Sequence, residues 1–133
     1  MREEEKLARD VYLALGELWD EAVFVNIPRA EQRHMDRVGD LLPRYDVPDP
    51  VGDHPRGVFT DRNLQELHDE LVARGRASLT EALAVGALVE ELDLSDLERA
   101  LAGDLDNADI RQVYAYLAKG SRNHLRAFST RLV

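Results

Sequence analysis

Apolar residues recur at helical spacing along almost all of this chain, and one long interruption divides them into two pairs of segments. Leu7, Ala8, Val11, Leu15, Leu18, Trp19 and Ala22 predict a helix over about residues 3–22. Asn26-Ile27-Pro28 restarts the chain, with Pro28 suited to the first turn of a second helix that runs to Leu42 and stops at Pro43. Residues 44–60 hold Pro48, Pro50, Gly52, Pro55 and Gly57 and read as a loop. A short helix is expected over about 61–73, closed by Arg74-Gly75-Arg76. Ser78 precedes a long one that continues through Leu101, and residues 103–107 turn the chain into a last helix over about 108–131. No strand pattern, internal repeat or low-complexity tract stands out. Short links join the helices within each pair, while residues 43–78 join the pairs. The expected fold is therefore all-α: a four-helix bundle with one long crossover that carries a short extra helix.

Composition removes several function classes. A net charge of −9 argues against a nucleic-acid surface, which needs a basic face. No run of about 18 apolar residues is present, so no membrane span is expected. Without cysteine there is no disulfide, thiolate nucleophile, zinc finger or iron–sulfur cluster. The charged opening Met1-Arg2-Glu3-Glu4-Glu5-Lys6 does not read as a signal peptide. As given, the chain reads as soluble and cytoplasmic, or as exported if a leader upstream of Met1 was removed. Its 133 residues suffice for one domain with a real core, and residues 1–133 are read as such a domain, either as it stands or trimmed at its start.

The informative residues are polar ones on faces that should be buried. Glu31 and His34 stand three apart on the second helix, so they share a face with Ile27, Val38, Leu41 and Leu42. An unpaired charge is costly there, and a metal ion between helices is the usual remedy. Glu90 falls near the centre of the arc formed by Leu79, Leu83, Ala87, Leu94, Leu97 and Leu101. On the last helix, Ser121 and His124 lie in the arc of Ile110, Val113, Tyr114, Leu117, Leu125 and Phe128. On the first helix, periodicity centres Glu4 and leaves Glu5 at the edge. No Lys or Arg is expected centrally on these faces, so a shared cation is the economical partner. His54 and His68 fall outside the set and read as solvated.

These segments resemble the ferritin-like superfamily. Glu5-Lys6-Leu7-Ala8-Arg9-Asp10-Val11-Tyr12 is similar to its first-helix motif E-x-x-A-x-x-x-Y, and Glu31-x-x-His34 to its second-helix ligand pair. Val89-Glu90-Glu91-Leu92-Asp93 resembles the third-helix segment, and Asn123-His124-Leu125 the end of the fourth-helix E-x-x-H. More narrowly, EEEKLARDVY, EQRHM, EELD and SRNHLRAF resemble an uncharacterised family within that superfamily. The resemblance implies metal ligands at Glu5, Glu31, His34, Glu90 and His124, with Glu4 the alternative to Glu5 and Asp93 an additional candidate. It implies Glu31 as the bridge and Tyr12 as a neighbour of the ligands.

Position 121 departs from the pattern: Ser121 stands where a Glu is expected, and a hydroxyl cannot bridge two metals. The implied cofactor is iron or manganese, one or two ions, with zinc as a substitute. The implied activity is an oxidoreductase acting on dioxygen or peroxide. The alternative, which Ser121 favours, is a non-enzymatic bundle that keeps the fold without the metals. The loop over residues 44–60 is expected either to lie over the bundle or to pack against a second copy in a homodimer.

Overall fold

The computed structural model describes residues 1–132 and is all-helical, with five α-helices and no strand among them. They are α1 (Arg2–Gly16), α2 (Val23–Leu41), α3 (Arg62–Gly75), α4 (Leu79–Ala102) and α5 (Ala108–Leu132). A 3-10 turn, Leu42–Tyr45, follows α2 and ends at Asp46 in the left-handed region, with φ 53°. The most extensive pairings are α1 with α2 and α4 with α5, while α2–α5 and α1–α4 contacts close the ring. The short α3 lies against α1 and α4. This arrangement is compatible with a four-helix bundle. No described helix is long and apolar enough to cross a membrane.

Local chemistry sets the helix boundaries. Asp61 accepts from the backbone N–H of Asn63 and Leu64 at the start of α3, and Ser78 from that of Glu81 at the start of α4. Glu3, Glu4 and Glu5 place negative charge at the N-terminus of α1, where the helix dipole favours it. That helix is shorter than the periodicity predicts. It ends at Gly16, and the N–H groups of Leu18 and Trp19 both turn back to the carbonyl of Leu15. Leu18 is exposed, and Trp19 leaves the helical arc to donate its indole N–H to the carbonyl of Gly75. Their apolar character comes from the turn and from α3, not from a continued helix.

Pro28 also differs from its expected place, since α2 begins five residues earlier, at Val23. A proline inside a helix deprives the carbonyl four residues back of its donor. That carbonyl belongs to Phe24, and it lies 3.2 Å from where a Cβ would stand on Gly16. The small residue lets the kinked backbone of α2 press against α1.

The loop before α3 lies along α1, as one of the two expectations held. Lys6 is fully buried, and its ammonium donates to Asp10 (2.7 Å) and to the carbonyls of Pro55 (2.9 Å) and Val58 (2.8 Å). The Gly57 N–H donates to Asp10, and those of Thr60 and Asp61 donate to Glu3. Val51 and Phe59 are buried beneath the strap.

Two apolar clusters fill the interior. The larger contains Leu7, Val11, Tyr12 and Leu15 of α1, Phe24 and Ile27 of α2, Leu83 and Val85 of α4, and Phe128 of α5. The smaller contains Val38, Leu97, Leu117 and Ala118. Between the clusters α1, α2, α4 and α5 each carry polar residues: Glu5, Glu31 and His34, Glu90 and Asp93, Ser121 and His124.

Candidate metal centre

The sequence-predicted residues meet in that polar layer. Glu5, Glu31 and Glu90 have no exposed surface, and His34 and Asp93 are 3% and 5% exposed. Glu5, Glu31 and His34 form one group whose ligand atoms lie within 4.8 Å of one another, and Glu31, Glu90 and His124 form a second. Glu31 belongs to both. Its Oε1 is 2.9 Å from Nδ1 of His124, and its Oε2 is 3.3 Å from Nδ1 of His34. The same His34 nitrogen is 3.2 Å from Glu5 Oε2, and that of His124 is 3.2 Å from Glu90 Oε1. The two imidazoles stack with centroids 5.7 Å apart.

The groups behind the ligand atoms are held in turn. The Tyr12 hydroxyl donates to Glu90 Oε1 at 2.9 Å, and Ser121 Oγ donates to Asp93 Oδ2 at 2.9 Å. Helical phase places Asp93 towards the edge of its face, yet the packing of α5 over α4 buries it. The carboxylate that α5 lacks at Ser121 is thus matched by one that α4 presents to the same hydroxyl.

Protein hydrogen bonds do not satisfy this set. One oxygen of each carboxyl in the layer, Glu5 Oε1, Glu31 Oε2, Glu90 Oε2 and Asp93 Oδ1, has no hydrogen-bond partner, Glu31 Oε2 having only the 3.3 Å contact with His34 Nδ1. Burial pushes the carboxyls of Glu5, Glu31 and Asp93 well above their ordinary values, and each is raised further by a neighbour's charge: Glu31 on Glu5, Glu90 on Glu31, Glu5 on Asp93. Burial likewise raises the Tyr12 phenol, with Glu90 adding to it, so the hydroxyl stays a donor. Carboxylate oxygens and imidazole nitrogens without other work are a donor set that fits a divalent transition metal.

Glu4, the alternative on α1, is half-buried and turns to the other side, among Leu7, Leu64, Asp93 and Asp96. Burial pushes its carboxyl up to about 7, with Asp96 and Asp93 adding to the rise against the pull of the amino terminus. Periodicity misplaces it because α1 touches α2, α3, α4 and the loop, so burial extends beyond its apolar arc and the centre of that arc does not mark the polar layer.

Two further corrections concern residues outside the centre. A cation does lie buried on α1, but the Lys6 protons go to Asp10 and the loop, so it neutralises none of the centre's carboxylates. The i, i+4 spacing of Lys6 and Asp10 is the signal that sequence reasoning passed over. His68 is not solvated: its ring lies 5.4 Å from that of Phe59, and its Nδ1 is 2.9 Å from Asp69. His54 is exposed, as expected.

A family model described as Uncharacterized protein domain (DUF2202) matches residues 1–133. The chain is 52% identical over 128 residues to the Uncharacterized protein MJ0754 of Methanocaldococcus jannaschii, a match that covers 96% of this chain and 69% of that protein. The crystal structure of hypothetical protein MJ0754 superposes with a TM-score of 0.95, covering 99% of this chain and 75% of that one.

Proposed function

We propose that this chain, which belongs to the DUF2202 family, is a ferritin-like four-helix bundle that binds a pair of iron or manganese ions in its polar layer. One observation carries the reading: four buried carboxyls each keep an oxygen without a hydrogen-bond partner, around two ligand groups that share Glu31. Buried charges left in that state are strongly destabilising, and a cation shared among them removes the cost. Glu5 and His34 would hold one ion and Glu90 and His124 the other, with Glu31 between them and Asp93 beside Glu5. Zinc accepts the same ligands and would substitute in a purified sample.

A bound pair of iron or manganese ions would supply electron transfer to or from dioxygen or peroxide, the chemistry of an oxidoreductase. This chain's residues orient the ligands and keep the layer dry. Tyr12 fixes Glu90 through its hydroxyl, Ser121 fixes Asp93, and the two apolar clusters exclude water from either side.

The rival is a metal-free bundle whose carboxyls stay protonated, a reading favoured by the raised values of Glu5, Glu31 and Asp93. Calorimetric titration of the metal-free protein with Mn(II), and with Fe(II) under anaerobic conditions, separates the two. The expected result is one to two equivalents bound, with most binding lost in Glu31→Ala. No measurable binding of either metal would overturn the proposal and leave the rival standing.

A further inference from the structure

We propose that the cleft between α2 and α5, over the outer edges of His34 and His124, is a binding site for a small anion, a carboxylate or an oxyanion. The inference rests on the metal reading for the protonation of the two imidazoles.

Both rings point Nδ1 inward, His34 at Glu5 and Glu31, His124 at Glu31 and Glu90. A metal bound at Nδ1 leaves the ring's one proton on Nε2, so both Nε2–H groups become donors that face away from the carboxylates. Metal-ligating histidines almost always hand that proton to a carboxylate, a carbonyl or a water, which fixes the ring. Here the hydrogen bonds of both rings among the described residues are made at Nδ1 alone. The acceptor for the outer N–H groups has to come from the cleft they face.

The cleft suits an anion. It holds about 280 Å³, and Arg33, Lys119 and Asn123 line it beside the two histidines. No carboxylate lines it, in a chain with 26 Asp and Glu against 17 Lys and Arg. Arg33 and Lys119 form no ion pair with described residues, although acids outnumber bases over the molecule as a whole. Gly120 keeps the floor open: a Cβ there would stand 2.7 Å from His34 Nε2. Tyr116 closes one side, edge-on to His34 and covered by the Arg37 guanidinium. The volume lies just under the lower end of ordinary ligand pockets, about 300 Å³, and accommodates a small ligand. Two guanidinium or ammonium groups and two imidazole N–H groups would converge on it, which is charge-assisted recognition of an oxygen anion. A small carboxylate or oxyanion bound there would be separated from the metal pair by the two imidazoles.

The test uses the protein loaded with Zn(II), which is redox-silent and diamagnetic, and the metal-free protein beside it. Acetate and sulfate are titrated by calorimetry while the ¹⁵N resonances of the histidines are followed. The expected result is saturable binding to the zinc protein that moves the Nε2 signals of His34 and His124. Binding should be weaker without metal, where Nδ1 can hold the proton and Nε2 is then an acceptor. The double variant Arg33→Gln/Lys119→Gln should keep its zinc affinity and melting temperature and lose anion affinity at least about tenfold, 1.4 kcal/mol. Normal zinc binding with no saturable anion binding would overturn this inference and leave the metal reading intact. Anion binding that the double variant does not weaken would place the ion on the metals and would also overturn it. Should no metal bind, the metal reading fails. Anion binding to the metal-free protein that the double variant abolishes would then still support the cleft, and its absence would remove both proposals.

Discussion

Gly120→Ala adds one methyl group aimed at one imidazole, which makes it a sensitive probe of the centre. The new Cβ would stand 2.6 Å from His34 Cε1 and 2.7 Å from Nε2. Carbon atoms settle at about 3.5–4 Å, so the ring must retreat by roughly 1 Å or α5 must move away from α2. The ring has little room, because its Nδ1 is already 3.2 Å from Glu5 and 3.3 Å from Glu31. Overpacking of this kind costs about 1–3 kcal/mol with or without metal. Loss of ligand geometry should add a metal-dependent part, since disturbing the support of a ligand weakens binding by about 10–100-fold. Metal at 100 times its dissociation constant stabilises the natural protein by about 2.7 kcal/mol, and at a hundredfold weaker affinity the same concentration yields only about 0.4 kcal/mol. At roughly 4 °C per kcal/mol for a chain of this size, the metal-induced rise in melting temperature should shrink from about 10 °C to about 2 °C. Thermal unfolding by circular dichroism, with and without Mn(II), measures both parts. Gly103→Ala is the control, because a Cβ there meets nothing nearer than 3.6 Å. If Gly120→Ala lowers the melting temperature yet keeps the full metal-induced rise, His34 is not a ligand and the reasoning fails.

Further outcomes follow from the same geometry. In the metal-free protein, the raised carboxyls of Glu5, Glu31 and Asp93 hold protons that the unfolded chain releases above the ordinary values of 4.5 and 3.8. Its stability should therefore fall as pH rises through that window, and saturating Mn(II) should reverse the slope, because the metal binds the deprotonated ligands. Melting temperatures between about pH 5 and about pH 8 check the sign. Ser121→Glu sets another buried carboxylate against Asp93 and should destabilise the metal-free fold by a few kcal/mol. Adding Asp93→Ser should recover most of that loss in urea unfolding, because the centre then holds one acid at this point again. Lys6→Met removes the ammonium from Asp10 but leaves it the Arg9 guanidinium and the Gly57 N–H, and should cost about 1–3 kcal/mol. Limited proteolysis should also find residues 50–60 opened, since the same ammonium holds two of their carbonyls.

Helical phase read the inward polar residues on α2, α4 and α5, Glu90 among them. On α2 and α5 the solvent face is broad, so Glu31, His34, Ser121 and His124 stood out against an apolar arc and are found in the polar layer. On α1 the argument failed for a physical reason. That helix is enclosed by three others and by the loop, with Glu3, Glu5, Lys6 and Asp10 all buried, so burial extends past its apolar arc and the arc's centre does not tell which acid meets the polar layer. The motif resemblance pointed to Glu5, which the structure places beside Glu31 and His34, whereas periodicity pointed to Glu4, which it places towards Asp96. The loop shows the same blindness. Its attachment runs through backbone N–H and carbonyl groups to Lys6, Asp10 and Glu3, and backbone groups leave no trace in a sequence pattern.

Ser121 shows why a missing motif residue is a weak argument for a lost site. From the sequence alone, a hydroxyl in place of a carboxylate counts against two metals, because the acid is simply absent from α5. In three dimensions the quantity that matters is how many carboxylates reach the layer, whichever helix supplies them. Asp93 reaches it from α4, one turn beyond Glu90, and Ser121 is the donor that holds it there at 2.9 Å. A Glu at position 121 and an Asp at position 93 would crowd two buried charges into one place, whereas Ser with Asp gives one charge and one hydrogen bond. The pairing therefore reads as a relocation of the acid. It leaves Glu5, Glu31, Glu90 and Asp93 as four carboxyls in the layer, each with an oxygen that no protein hydrogen bond satisfies, and four is the number the proposed pair of ions would draw on.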